Sequence, residues 1–188
     1  MPGGGNVFVI TGPSGVGKGT LIGALLQRVP QLRLAVSATT RPPRAGERDG
    51  VEYHFLSPQQ FAERVAAGEF AEHVDYAGCS YGTLRSELES KAAGGGGVVL
   101  EIEVQGAREL RGALPHATQI FIAPPSFGEL RARLQKRGTD DADKIERRLR
   151  VAEGEIQAQR EFAHVVVNDD LERALGELER IVTAAQPR

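Results

Sequence analysis

The chain has 188 residues, 40 % of them hydrophobic and 26 % charged, which is enough apolar material for one domain with a real core and, at this length, an insertion. Glycine is plentiful at 23 residues, but with the 10 prolines it stays below the roughly 25–30 % of a low-complexity chain, and no Gly-X-Y period marks a collagen. Lys and Arg number 23 against 25 Asp and Glu, so a net charge of −2 gives no overall basic field for a nucleic-acid backbone, and any anion site must be built locally.

In chain order, residues 1–5 read as a disordered tail; they carry no basic region, and the apolar stretch Val7 to Ile10 is too short for a signal peptide or a membrane span. The single cysteine, Cys79, cannot form an internal disulfide, and the four histidines are too scattered for a metal-binding run. A soluble, cytoplasmic protein is expected. Val7 to Thr11 reads as a buried strand, followed by a glycine loop and a helix from about Gly17 to Arg28 that Pro30 stops. Leu32 to Ser37 reads as a second strand.

Residues 39 to about 83 break this rhythm with an Arg-, Pro- and Gly-rich loop, a short Tyr53 to Leu56 strand, a helix opened by Ser57-Pro58-Gln59-Gln60, and extended segments around Phe70 to Tyr76. They read as a small inserted lobe. Gly94 to Gly97 reads as a flexible connection into a strand over Val98 to Val104, then a helix from about Gln105 to Leu114 and a strand over Gln119 to Ala123. Ser126-Phe127-Gly128-Glu129 opens another helix. Arg137 to Asp143 is an irregular join with few apolar anchors, a candidate mobile lid. After it Ile145, Leu149, Ala152 and Ile156 recur on one helical face, with Arg147, Arg148 and Arg150 largely off that stripe. Val165 to Val167 is a last strand, and Asp169-Asp170-Leu171-Glu172 a last helix start. Strands alternating with helices predict an α/β fold, a parallel sheet with helices on both faces.

Three constellations carry chemistry. Gly12-Pro13-Ser14-Gly15-Val16-Gly17-Lys18-Gly19-Thr20 lies between a strand and a helix, the setting that a phosphate-binding loop of the G-x-x-x-x-G-K type requires. Its glycines let successive N–H groups face one set of phosphates, the helix N-terminus adds positive potential, and Lys18 reaches the β- and γ-phosphates. Gly19 stands where a Ser or Thr hydroxyl usually reaches Mg²⁺, so the ion is expected to be held chiefly by phosphates and water, with possible help from Thr20. Glu101 and Glu103 share one face near a strand's C-terminal end, where open α/β sheets place ligands; they fit a carboxylate that orders metal-bound water, or two solvated acids. Arg41 and Arg44 flank Pro42-Pro43, either as two guanidinium forks aimed at one phosphate or as a solvated loop, and Tyr53 and Tyr81 read on their own as packing residues.

Together with that loop, Ser37-x-Thr39-Thr40-Arg41-x-Pro43-Arg44-x-Gly46-Glu47, Tyr53-x-Phe55, Glu69-Phe70-x-Glu72, Tyr81-Gly82-Thr83, Leu100-Glu101-Ile102-Glu103-Val104-Gln105-Gly106 and Arg137-Gly138-Thr139 resemble the guanylate kinases. The likeness runs from the first strand to Asn168-Asp169-Asp170. It implies a P-loop NTPase-type core over about 6–38 and 84–188, a GMP-binding lobe over about 39–83 and a lid over about 137–147. The implied reaction moves the γ-phosphoryl group of ATP to GMP, and to dGMP, with Mg²⁺, within purine nucleotide metabolism and GMP recycling. Arg41, Arg44, Tyr53 and Tyr81 become the clamp on the GMP phosphate, Ser37, Glu72 and Thr83 the guanine readers, Arg137 and Arg148 lid arginines, and Asn168 a neighbour of the ATP base. Glu103 stands where the family usually has aspartate, which moves its carboxylate outward by about one bond.

The chemistry agrees with this reading. Guanine presents N1–H and an N2 amine side by side, so the Glu72 carboxylate can accept from both, whereas adenine lacks that donor pair; rejection of roughly 10⁴–10⁵-fold is attainable at such a site. The acceptor, a phosphate oxygen, is already anionic near neutral pH, so no general base is required. Repulsion between two polyphosphates is the obstacle, and positioning with positive charge is the remedy. Partners are therefore the small molecules ATP and GMP, with no nucleic acid and no membrane. A sugar-phosphate kinase on the same core would not need Glu72 and Thr83, and a non-catalytic phosphopeptide-binding module would not need Lys18.

Overall fold

The computed structural model describes residues 6–76, 78–136 and 142–185. The tail at 1–5, Arg137 and the first part of the join at 137–141 lie outside them.

Two sheets organise the chain. The first is parallel, with β1 (Val7–Thr11) at its centre, β7 (Val98–Glu101) and then β2 (Arg33–Leu34) on one side, and β8 (Thr118–Ala123) and β9 (His164–Val167) on the other. Its strands are near-continuous apolar runs because both faces are covered. On one face Phe8, Ile10, Ile120 and Ile122 meet Leu21 and Leu25 of α1 (Lys18–Arg28), Leu130 and Leu134 of α5 (Phe127–Lys136), Leu149 and Ala152 of α6 (Ala142–Gln157) and Leu175 and Leu178 of α7 (Leu171–Ala184). On the other, Val9, Leu100 and Phe121 meet Leu88 of α3 (Arg85–Ala92) and Ala107 and Leu110 of α4 (Val104–Ala113). Thus the predicted parallel sheet with helices on both faces is present, and the predicted 3.6-residue stripe of α6 docks as expected.

The second sheet, in the order β4-β3-β6-β5, is built from β3 (Ala38–Thr39), β4 (His54–Phe55), β5 (Phe70–Tyr76) and β6 (Cys79–Leu84). α2 (Pro58–Ala66) covers it through Phe61, whose ring stacks on Phe70 at 4.5 Å between centroids. The Ser57-Gln60 capping box forms in both directions.

Four local readings are corrected. The strand over Leu32 to Ser37 narrows to two residues: Ala35 N–H still bonds Val99 at 2.9 Å, but Val36 N–H turns to the Glu87 side chain at 3.0 Å as the chain leaves for the second sheet. The strand over Val98 to Val104 stops at Glu101, because Val104, Ala107 and Leu110 recur with helical spacing and bury together, so Val104 opens α4 and Glu103 precedes it. Gly94 to Gly97 is not a loose connection throughout: a Cβ on Gly96 would stand 1.9 Å from the Gln31 carbonyl, and one on Gly97 would stand 2.7 Å from Phe8 and Leu32. Finally, Asp170 rather than Asp169 caps α7, accepting from Arg173 N–H at 2.9 Å.

Candidate active site

β1 and β8 end side by side, and the glycine loop starts where they end. A Cβ on Gly12 would fall 2.3 Å from the Ile122 carbonyl, and Gly12 holds φ +141°, so strand β8 forces glycine at the first turn. Gly17, at φ +97°, lies against Asn168, whose Nδ2 would be 2.6 Å from a Cβ there. That amide donates to the Val16 carbonyl at 2.8 Å, and Arg133 donates to the same carbonyl at 3.3 Å. Two side chains therefore fix the loop from behind, through the Val16 carbonyl.

Lys18 is buried, and its Nζ donates to the Gly12 and Pro13 carbonyls at 2.6 and 3.3 Å. To reach a phosphate it must exchange these bonds. Arg148 donates to Ser14 Oγ at 2.7 Å, so α6 brings a cation to the loop's rim. Glu155, seven residues further along the same helix face, interacts with the Ser14 N–H, with Lys18 and with Glu103. Burial, together with the Glu103 charge, pushes the Glu155 carboxyl up to about 7. Burial raises Glu101 as well, and Lys18 opposes that shift. Glu101 Oε2 lies 3.8 Å from the place of a Cβ on Gly19, so a carboxylate faces the position where phosphate loops usually carry a hydroxyl; Thr20 is exposed on the first turn of α1.

Across from the loop, β5 and β6 pair Glu72 with Thr83 in register. Thr83 is fully buried and donates to Glu72 Oε1 at 2.7 Å, while Glu72 is 5 % exposed. Its other oxygen rests against α4, where a Cβ on Gly106 would stand only 2.8 Å away. Burial first and Glu109 second push Glu72 up to about 7, with the Thr83 bond opposing them. A carboxyl so dehydrated is costly unless a partner brings donors to it.

Arg41 lies over Tyr53 and Phe55, 5.3 and 5.8 Å from the ring centroids, and binds Glu47 at 2.9 Å. Glu47 also accepts the Arg44 backbone N–H at 2.8 Å, and the Arg44 side chain is exposed. Both arginines act on the Glu47 carboxyl and hold it below the usual carboxylate range, the Arg44 backbone N–H contributing most. Tyr81 meets Tyr53 edge-on at 6.1 Å and Tyr76 at 6.5 Å, giving a row of tyrosines on the second sheet. Tyr53 is raised by burial and feels Glu101 and Glu103; Tyr76 is pushed up to about 12 by burial, with Glu103 and Glu155 adding. The tyrosine row thus faces the acids at the end of the parallel sheet.

Of the residues singled out from the sequence, the structure gathers the loop from Gly12 to Thr20, Lys18, Arg148, Asn168, Glu101 and Glu103 at the end of the parallel sheet. It gathers Arg41, Arg44, Tyr53, Tyr81, Glu72 and Thr83 on the second sheet, with half-buried Ser37 at the crossing between them. Asn168 reaches the loop from beneath, through Val16. Arg137 lies outside the described residues. Sequence reasoning missed Glu155, whose seven-residue offset from Arg148 was the available signal, and Tyr76, which carried none; Glu47 stood in the Arg41–Glu47 motif but was given no role.

Comparisons with known proteins agree with this geometry. The family model described as guanylate kinase matches residues 4–185. A guanylate kinase of Synechococcus sp. strain CC9311 is 52 % identical over 172 residues, 92 % of this chain and 90 % of that protein. One of Thermosynechococcus vestitus is 52 % identical over 183 residues, covering 97 % and 96 %. The crystal structure of guanylate kinase from Anaplasma phagocytophilum superimposes with a TM-score of 0.80 at 32 % identity, covering 98 % of this chain and 88 % of that one.

Proposed function

The chain belongs to the guanylate kinase family and transfers the γ-phosphoryl group of ATP to GMP, giving ADP and GDP; on that premise we propose how its residues divide the work. Gly12 to Thr20 wraps the donor phosphates, Lys18 exchanges its carbonyl partners for β- and γ-phosphate oxygens, and Asn168 walls the ATP site while holding Val16. Arg148 from α6 and Arg137 neutralise the group in transfer, the latter from a lid over about 137–147 that closes and excludes water. Arg41, Arg44, Tyr53 and Tyr81 hold the GMP phosphate once Arg41 leaves Glu47. Glu72, Thr83 and Ser37 read guanine, and dGMP, which carries the same base and phosphate, is accepted too. Residues 6–38 and 84–188 form the core and about 39–83 the GMP lobe. The product supplies purine nucleotide metabolism in the cytoplasm.

Mg²⁺ fits this site, because Glu101 faces the open side of Gly19. Glu101, with Thr20, would help hold an ion bound mainly by phosphates and water, and the ion would supply positive charge to the phosphates. Glu103 borders the GMP side of the same acids, and Lys18 and the arginines bring the two anions together. The acceptor oxygen needs no base.

The observation that supports the guanine assignment is the Glu72 carboxyl, 5 % exposed with Thr83 on one oxygen, because a ligand with adjacent donors stabilises its charged form. Turnover with GMP, AMP, dTMP, UMP and sugar phosphates tests it. GMP should be preferred by orders of magnitude, and comparable use of any other acceptor sinks the assignment.

A further inference from the structure

The chain crosses between the two sheets twice, once over residues 35–37 and once where β6 runs into α3 at Leu84 and Arg85, and one carboxylate touches both crossings. Glu87 sits in the first turn of α3, just after the second crossing. Its Oε1 accepts the Val36 backbone N–H at 3.0 Å, in the middle of the first crossing. Lys91 Nζ stands 3.5 Å from the same oxygen, and His54 Nε2 on edge strand β4 stands 3.5 Å from Oε2. The Glu87 side chain is 13 % exposed, so these contacts are made in a largely dehydrated place where losing an acceptor matters.

Both segments that Glu87 joins carry proposed guanine readers on their lobe side. Ser37 directly follows Val36, and Thr83 lies four residues before Glu87, hydrogen-bonded to Glu72. Beside the clamp, a cavity of about 410 Å³ opens between β4 and α2 on one side and α3 on the other; its lining includes Asp49, His54, Arg64, Leu84, Glu87 and Ser90, and no residue of the phosphate loop. Ala35 of the first crossing shares a buried apolar cluster with Leu88 of α3, and the β3–β6 ladder pairs Ala38 with Gly82. On the cavity side, the Glu87 bond is the side-chain tie between the two crossings.

We propose that Glu87 is a positioning residue for the acceptor: by pinning Val36 to the start of α3 it fixes, together with the β3–β6 ladder, the spacing between Ser37 and the Glu72–Thr83 pair, and so the width of the guanine pocket. This rests on the reading that those three residues bind guanine. Glu87 meets Val36, His54 and Lys91, none of them in the phosphate loop, so its effect falls on one substrate.

The test is steady-state kinetics of Glu87→Ala, Glu87→Asp and Glu87→Gln with each substrate varied in turn. Removing the acceptor in Glu87→Ala raises KM for GMP roughly tenfold while kcat and KM for ATP stay within about twofold. Glu87→Asp, a methylene short of Val36 with charge and helix start kept, moves KM for GMP the same way and carries the test should the alanine variant fail to fold. Glu87→Gln keeps an oxygen for the Val36 N–H and restores most of the affinity. An unchanged KM for GMP in the aspartate and alanine variants, or an equal rise in KM for ATP, overturns the proposal. The wild-type acceptor survey stands apart from this result: a preference for another monophosphate defeats the guanine reading, whereas loss of the split with GMP still preferred defeats only the role of Glu87.

Discussion

In the proposed division of work, the parallel sheet and the second sheet solve the same problem, holding an anion in a chain without excess positive charge, by opposite means. At the end of the parallel sheet the proposed binding group is the backbone of a loop shaped by glycines with positive φ, over a core in which Phe8, Ile10, Leu21, Leu25, Ile120 and Ile122 are all 2 % exposed or less. That arrangement recognises a polyphosphate without asking which base it carries. The second sheet has a small apolar cluster of Ala38, Phe61, Phe70 and Leu84, and it buries Thr39, Glu72 and Thr83 beside it. Those polar groups cost stability and supply selectivity. A robust core thus serves the common substrate, and a marginal lobe serves the particular one.

The sharpest break of this contrast is Lys18→Met. It should lower kcat on the order of 10³-fold with the fold retained, since the remaining loop N–H groups still bind ATP. Near-normal turnover would show that the loop does not carry the chemistry. Glu72→Gln probes the other side and should lower kcat/KM for GMP by about 10²-fold or more, because the amide presents a donor to a guanine donor, with KM for ATP little changed. An equal loss for ATP would make Glu72 a structural residue and erase the division between the sheets.

The titration of Glu72 gives a third, smaller effect. Its carboxyl is pushed up to about 7 by burial, so below that pH it is protonated and cannot accept both guanine donors. KM for GMP should therefore rise several-fold between about pH 7.5 and 6, and GMP binding near neutrality should release a proton, seen by calorimetry in buffers of different ionisation heat. The stability sign is the reverse of the usual carboxylate case. A raised folded-state pKa means that the folded protein binds more protons than the unfolded chain, so stability falls as pH rises from about 4.5 to about 7 and the penalty is complete above that range. Glu72→Gln should remove that fall and raise Tm above neutral pH, while it impairs GMP use.

The same division explains what the sequence disclosed. The phosphate loop was legible because its requirement is local: glycine at fixed offsets, between a strand and a helix. The helix starts at Ser57 and Ser126 were legible for the same reason, each having its hydroxyl bonded to an N–H three residues on. Glu72 and Thr83 entered only through resemblance, since an eleven-residue separation becomes contact only when β5 and β6 pair across a tight turn. Gly96 and Gly97 looked loose in a glycine run, yet the carbonyl of Gln31 and the ring of Phe8, distant in sequence, leave no room for a side chain. Strand ends at Leu34 and Glu101 were missed because tertiary partners, Glu87 and the buried stripe of α4, decide where the ladders stop.

The smallest effect tests whether the two sheets are separate in stability as well as in role. Ser57 accepts the Gln60 N–H at 3.1 Å and Gln60 returns a bond to Ser57 N–H at 2.8 Å, so Ser57→Ala frees the Gln60 N–H at the start of α2, away from the residues proposed to bind substrate. The cost should be about 1 kcal/mol. In a lobe whose apolar cluster is four side chains, a loss of that size speeds local opening about fivefold, and amides of α2, β5 and β6 should exchange correspondingly faster. Amides of β1 and β8, within the large core, should not respond, and KM for ATP should stay unchanged. Equal acceleration in both sheets would mean that they open as one cooperative unit, and the marginal lobe would then owe its selectivity to the Glu72 site alone rather than to a stability set apart from the core.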